Sequence, residues 1–243
     1  MKKWGWSWQI KTSSISLAML CLLSATEISV FSDLNAIASQ KKKQDTVVIF
    51  QPPPEDAQPE ETGGAASRNG NKCPGDMSAK ADRSKFKAIV PQSNSGLTTK
   101  EYPTFWASIP PTTAQSAILS IAKVGEKPYW HQAIALTNRS GLIGIKLDSN
   151  APGLEIDQNY RWALVLVCNP HPHPSDPVVT AGIKRIDRNL PSNITSLELA
   201  NWYAERGIWY DALNILAGKK SLLNNGEFIW SKYLRSGGIL IDN

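Results

Sequence analysis

Residues 168–176 read Cys-Asn-Pro-His-Pro-His-Pro-Ser-Asp, which puts a cysteine and two of the chain's three histidines within one short stretch. A thiolate and two imidazoles suit zinc or copper. Pro170, Pro172 and Pro174 forbid a regular ladder here and favour an extended polyproline turn. Such a turn has about three residues per repeat, so His171 and His173 point different ways, whereas on a strand they would share a side. The metal reading also needs Cys168 as a free thiolate, and no carboxylate triad or second histidine pair lies nearby in sequence. His171 and His173 are therefore candidate ligands on that condition. Otherwise the stretch is a rigid loop between two strands.

Other stretches offer less chemistry. Thr62 to Cys73 combines glycines with Arg68 and Lys72, a composition that can hold an anion on backbone amides. It lacks phosphate-loop spacing and opens no helix, so it reads as a turn-rich segment. His131 falls within an apolar run and reads as a packed histidine. No serine sits in a Gly-x-Ser-x-Gly elbow, and no catalytic triad assembles from the pattern.

The state of Cys168 depends on the compartment. Lys2, Lys3 and Lys11 precede the apolar run Ile15 to Ala25, which has signal-peptide length and is short for a membrane span. Ala36-Ile37-Ala38 supplies the small residues a signal peptidase reads, which predicts cleavage before Ser39. Leu20 before Cys21 argues against lipid attachment, and no twin arginine is present, so export by the general secretion route is expected. The destination is periplasmic or extracellular. Cleavage removes Cys21 and leaves Cys73 and Cys168, the number that closes one disulfide in an oxidising compartment.

The same cleavage leaves 23 basic and 19 acidic side chains, a net charge of +4 against +5 for the full chain. The one basic run, Lys41-Lys42-Lys43, reads as a solvated tail. No interleaving of basic and aromatic residues marks a nucleic-acid surface. Nucleic acid is excluded as a partner, no cofactor is indicated, and no stable membrane span is expected after cleavage. An envelope protein or a polysaccharide remains.

Behind the candidate residues stands a division into four parts. Residues 1–38 form the signal peptide and 39–84 a Pro/Gly-rich arm, in which Thr46 to Phe50 could add an edge strand. From residue 85, β-rich runs recur at 85–90, 104–109, 116–124, 129–136, 142–147, 160–168 and 178–186, separated by turns such as Asn94-Ser95-Gly96. Seven strands so spaced predict an antiparallel, immunoglobulin-like β-sandwich over 85–190. In the run 160–168 nearly every step is apolar, which predicts a central strand covered on both faces. Residues 191–243 change period: Thr195 and Glu198 fit a capping box opening a helix to about Arg206, Gly207 stops it, a second helix ends near Gly218, and Asn225 caps a third over 227–235. These helices are too short to stand alone and must dock.

Six tryptophans follow the cleavage point: 106, 130, 162, 202, 209 and 230. Most fall in periodic segments and read as core, although exposed ones could stack on sugars. Gly207, Trp209, Ala212 and Leu213 resemble the turn and second helix of a tetratricopeptide hairpin: the glycine permits close approach, the aromatic plugs the angle and the alanine seats the crossing. One copy makes no solenoid, so this is packing.

Together these stretches resemble a cyanobacterial family, domain of unknown function number 928. The matching features are Phe50 with its prolines, Thr62 to Arg68, Cys73, Leu97-Thr98, Tyr102 to Trp106, Pro110, Tyr160-x-Trp162, Cys168, Gly182-x-x-Arg185 and Ala204 to Leu213. Ala65-Ala66 departs from it, where a single alanine is expected. The resemblance implies a fold and an envelope setting, and carries no catalytic residue. The expected role is an envelope interaction or scaffolding module without catalysis. The alternatives are a polysaccharide-binding module using exposed tryptophans and a metal-dependent enzyme at the His-Pro loop.

Overall fold

Among the described residues, eight strands lie between Lys87 and Arg185, most of them on alternating or apolar runs, and the change to helical period after Thr195 builds three helices. A computed structural model of the chain describes residues 47–54, 72–76, 86–136 and 140–240. The expected signal peptide and cleavage point, Lys41 to Lys43 and the Gly/Arg stretch from 62 to 71 lie outside the described residues. Those described fall in one compact unit spanning 46–243.

The strands are β1 Lys87–Ala88, β2 Ser95–Thr98, β3 Thr104–Ile109, β4 Ser116–Lys123, β5 Trp130–Ala135, β6 Gly141–Lys146, β7 Asn159–Val167 and β8 Val178–Arg185. One sheet has the order β1-β3-β6 and the other β2-β8-β7-β4-β5. The fold is thus mainly β. The two sheets meet through their inner faces, where Phe105 on β3 lies 5.1 Å from Trp162 on β7, ring centre to ring centre.

Five strand pairs are antiparallel, as expected, and one is not: β2 runs parallel to β8, pairing Ser95 with Gly182 and Thr98 with Arg185. β2 also stands where the sequence predicts a turn. Asn94 makes the turn with φ of 55°, but Ser95 and Gly96 continue as strand. Gly96 is there for space, because a Cβ would lie 3.0 Å from Trp209 Cβ and 3.1 Å from the Tyr210 ring.

β7 is central in its ladder, between β4 and β8. Its Tyr160, Trp162, Leu164 and Leu166 face is buried, but Arg161 is exposed and Ala163 and Val165 are half-buried. One face is therefore covered, not both. His131, on edge strand β5, is exposed and not packed, because its side chain falls on the outward step of the strand.

The helices are α1 Ser196–Ala204, α2 Trp209–Lys219 and α3 Gly226–Ser236. Thr195 and Glu198 form the capping box of α1. Asn225 holds the N-cap position of α3 without a side-chain bond into its first turn. α2 packs against β2 and β3 and so against both sheets. Its Tyr210 hydroxyl accepts from Trp162 Nε1 at 2.8 Å and donates to the Gly182 carbonyl at 2.9 Å. Trp209 Nε1 donates to the Ile89 carbonyl at 3.0 Å, and its ring stacks on Tyr233 of α3 at 4.6 Å.

Residues 47–54 form no edge strand. Their backbone crosses the helices instead: Gln51 N–H bonds the Ala204 carbonyl at 3.0 Å, Phe50 N–H bonds Ser236 Oγ at 2.8 Å, and the Phe50 ring meets Trp209 edge-on at 4.9 Å. Two apolar side chains, Val48 and Phe50, are buried by this path, which an exposed sheet edge would not give them.

Candidate functional site

Cys73 and Cys168 are joined by a disulfide, with Cα atoms 5.4 Å apart across 95 residues of sequence. The bond ties residues 72–76 to the end of β7. It also uses the sulfur that a Cys-His-His metal set would need. His171 and His173 are both exposed. His173 Nδ1 accepts from Ser175 N–H at 3.2 Å and lies 2.7 Å from Ser175 Oγ, so this ring nitrogen is engaged within the loop. Among the described residues no group of three His, Cys, Asp or Glu side chains is placed to hold a metal ion.

A pair of aspartates organises this end of the molecule, and the sequence pattern did not single them out. Asp176, 4 % exposed, accepts from His173 N–H at 2.8 Å, while its own N–H bonds the His173 carbonyl at 2.9 Å. Asp76 repeats the arrangement on Cys73, accepting its N–H at 2.8 Å. Asp76 also accepts from Thr112 Oγ1 at 2.9 Å, Thr113 N–H at 2.6 Å and Thr113 Oγ1 at 3.0 Å. Burial pushes its carboxyl up, but the bonds from Thr113, Cys73 and Thr112 outweigh burial and hold it below its ordinary value. The available signal was the spacing: Cys73-x-x-Asp76 and His173-x-x-Asp176 each return a carboxylate to an N–H three residues earlier.

The hairpin residues lie in the core, not at a surface. Trp209, Ala212 and Leu213 are fully buried. Gly207 has φ of 69°, and the bonds Gly207 N–H to Ala204 O and Ile208 N–H to Tyr203 O close the α1 turn in the Schellman manner. Its lost Cβ makes room for the arm, not for a helix crossing: a Cβ would lie 2.6 Å from Pro53 Cδ. Of the six tryptophans, 162, 209 and 230 are buried and 106, 130 and 202 half-buried. The half-buried three sit on β3, β5 and α1 and share no single element.

Among the described residues, two concavities stand out. One, of about 340 Å³, has Asp211 in its wall with Thr98 and Tyr203. Asp211 accepts from Thr99 N–H at 2.8 Å and ties the first turn of α2 to the end of β2. Burial pushes its carboxyl above the ordinary value, against the pull of the Thr99 and Thr98 bonds and of Lys100. Its oxygens are thus engaged by the protein.

The other, of about 440 Å³, opens where three segments converge: the arm from Phe50 to Pro53, the turn from Pro91 to Gly96, and the end of α3 with Gly237 and Gly238. Gln92 N–H bonds the Gly237 carbonyl at 3.0 Å, and Ser236 Oγ takes the Phe50 N–H, so each segment fixes another. Phe50, Pro52, Pro53 and Pro91 give apolar wall. Ser95 also lines it, 2 % exposed, with a hydroxyl that has no hydrogen-bond partner among the described residues. Arg235 lines it as well, exposed, with no carboxylate in ion-pair range among the described residues. Sequence reasoning missed this site, because its walls come from stretches far apart in the chain.

Among the described residues, two β-sheets tied by a disulfide to residues 72–76 and covered by docked helices define a β-rich module with an apolar-walled cavity. The family described as Domain of Unknown Function (DUF928) matches residues 63–239, and the chain belongs to that family. No curated protein matches the chain. No helix among the described residues is long and apolar enough to cross a membrane.

Proposed function

We propose that the chain is an exported, noncatalytic interaction module of the cell envelope, with the cavity between arm, turn and α3 as its contact site. The observation that carries this reading is the cavity's construction. Separate segments bond to one another around an opening with apolar walls and unused polar groups, which is the usual make-up of a binding site. The disulfide supports export, since such bonds persist in oxidising compartments. Cleavage before Ser39 by the general secretion route completes the reading. N-terminal sequencing of exported protein that finds residues 1–20 intact would overturn that part.

The same reading takes the sandwich to be immunoglobulin-like. Its support is the division of strands into β1-β3-β6 and β2-β8-β7-β4-β5 with both inner faces packed together. The disulfide departs from the antibody pattern, because it leaves the sandwich for the arm.

The test is capture of partners from native envelopes with the exported protein and with Gln92→Trp. Gln92 is exposed and lines the cavity, so the indole plugs it without disturbing the core. An envelope protein held by wild type and released by the plug is the expected result. Equal retention by both refutes the site. A polysaccharide-binding reading draws on the half-buried Trp106, Trp130 and Trp202. It predicts retention on cell-wall polysaccharide that Trp202→Ala abolishes.

A further inference from the structure

We propose that this cavity binds a carboxylate carried on a small apolar body, such as a peptide's C-terminal residue or a free organic acid. The proposal rests on reading the cavity as the contact site, and it names the chemistry recognised there. Ser95 is the starting point. A buried hydroxyl without a partner among the described residues leaves a desolvated polar group unsatisfied, which a ligand at the cavity wall would relieve. Its rotor can donate to an oxygen brought in by a ligand. Arg235 at the same cavity supplies a planar guanidinium with no carboxylate partner of its own among the described residues. That group matches a carboxylate in geometry and charge.

The surrounding backbone decides against a multiply charged anion. Phosphate sites gather several free amide N–H groups. Here the N–H groups of Gln92, Gly237 and Gly238 already bond the carbonyls of Gly237, of Tyr233 and Leu234, and of Arg235. The side-chain donors at the wall are the Arg235 guanidinium, the Ser95 hydroxyl and the Gln92 carboxamide, a set with one positive charge that suits the two oxygens of a single carboxylate. The rest of the ligand meets Phe50 and prolines 52, 53 and 91, which favour an apolar group. The cavity's volume of about 440 Å³ lies toward the small end of ligand sites.

The test uses exported, disulfide-bonded protein and three probes followed by amide chemical shifts: N-acetyl-leucine, its carboxamide, and hexanoate. N-acetyl-leucine should shift resonances of residues 92–96 and 235–238 with Kd near about 1 mM, and the carboxamide should bind about tenfold more weakly. Hexanoate binding as tightly assigns the site to free acids; weaker hexanoate assigns it to peptide termini. Arg235→Gln should lose about tenfold in affinity while keeping the spectrum of the fold. Ser95→Ala should lose affinity without loss of thermal stability, since it removes an unpartnered hydroxyl. Equal binding of acid and carboxamide, unchanged binding by Arg235→Gln, or no binding of any probe at about 10 mM overturns the proposal. If Gln92→Trp releases the envelope partner while no probe binds, the carboxylate chemistry falls and the contact site stands. If probes bind but the plug releases nothing, the contact site falls instead.

Discussion

Tyr210→Phe isolates the bond that locks the helices to the sheets. The substitution keeps the ring, including its edge contact with Phe105 at 6.0 Å, and removes the hydroxyl alone. Two buried bonds are lost, from Trp162 Nε1 at 2.8 Å and to the Gly182 carbonyl at 2.9 Å. The indole N–H is then a buried donor without an acceptor, which costs about 1–3 kcal/mol, and the carbonyl's loss adds roughly 1 kcal/mol. The expected total is about 2–4 kcal/mol, a fall in Tm of roughly 6–12 °C for a domain of this size. Tyr233→Phe loses one bond, to the Trp209 carbonyl at 3.0 Å, and should cost about 1 kcal/mol. Tyr203→Phe loses only a 3.4 Å approach to Thr99 Oγ1 and should cost least. Denaturant unfolding of the disulfide-intact protein, read by tryptophan fluorescence, measures all three. A Tyr210→Phe variant within about 0.5 kcal/mol of wild type, or Tyr203→Phe as the most damaging, would refute this account of how α2 is held.

Three further perturbations test separate features. Gly207→Val should destabilise by about 2–4 kcal/mol, because a β-branched residue is forced to φ of 69° against Pro53; a melting curve like wild type's refutes it. Replacing Cys73 and Cys168 together by serine frees a 95-residue separation and should cost up to about 4–5 kcal/mol by chain entropy, measured as the shift in denaturant midpoint; an unchanged midpoint removes the structural role. Asp76 gives a pH dependence. Its carboxyl is held below 3.8 in the folded protein, so its contribution is complete above the unfolded value and is lost as pH falls through the folded one. Wild type should therefore lose stability below about pH 4 by a step that Asp76→Asn lacks, and parallel acid-unfolding profiles would contradict the assignment.

The candidate site was legible only in pieces. Phe50, the prolines beside it, Gly207 and the glycines after α3 stand out in the sequence as turn or packing signals. Nothing in their spacing says that they share a wall with Ser95 and Arg235. Ser95 in particular reads as part of a turn, and in the structure it is a buried strand residue paired with Gly182 of β8. His171 and His173 drew attention by residue type. Type alone says nothing of partners, and in the structure His173 bonds to Asp176 and Ser175 of its own loop.

What the sequence determined by itself was local. The β-rich runs placed seven of the eight strands within two residues at each end, since side-chain direction along a strand is fixed by the backbone. The Thr195 and Glu198 capping box and the Gly207 stop bounded α1, because caps satisfy backbone groups next to them in the chain. Tertiary structure decided what depends on distant partners. It set β2 parallel to β8, laid the arm over the helices, turned His131 outward, and brought Asp76 to Thr112 and Thr113. A glycine in Asn94-Ser95-Gly96 serves a turn or a close approach equally well. The arrival of Trp209 and Tyr210, more than a hundred residues later, chooses between them.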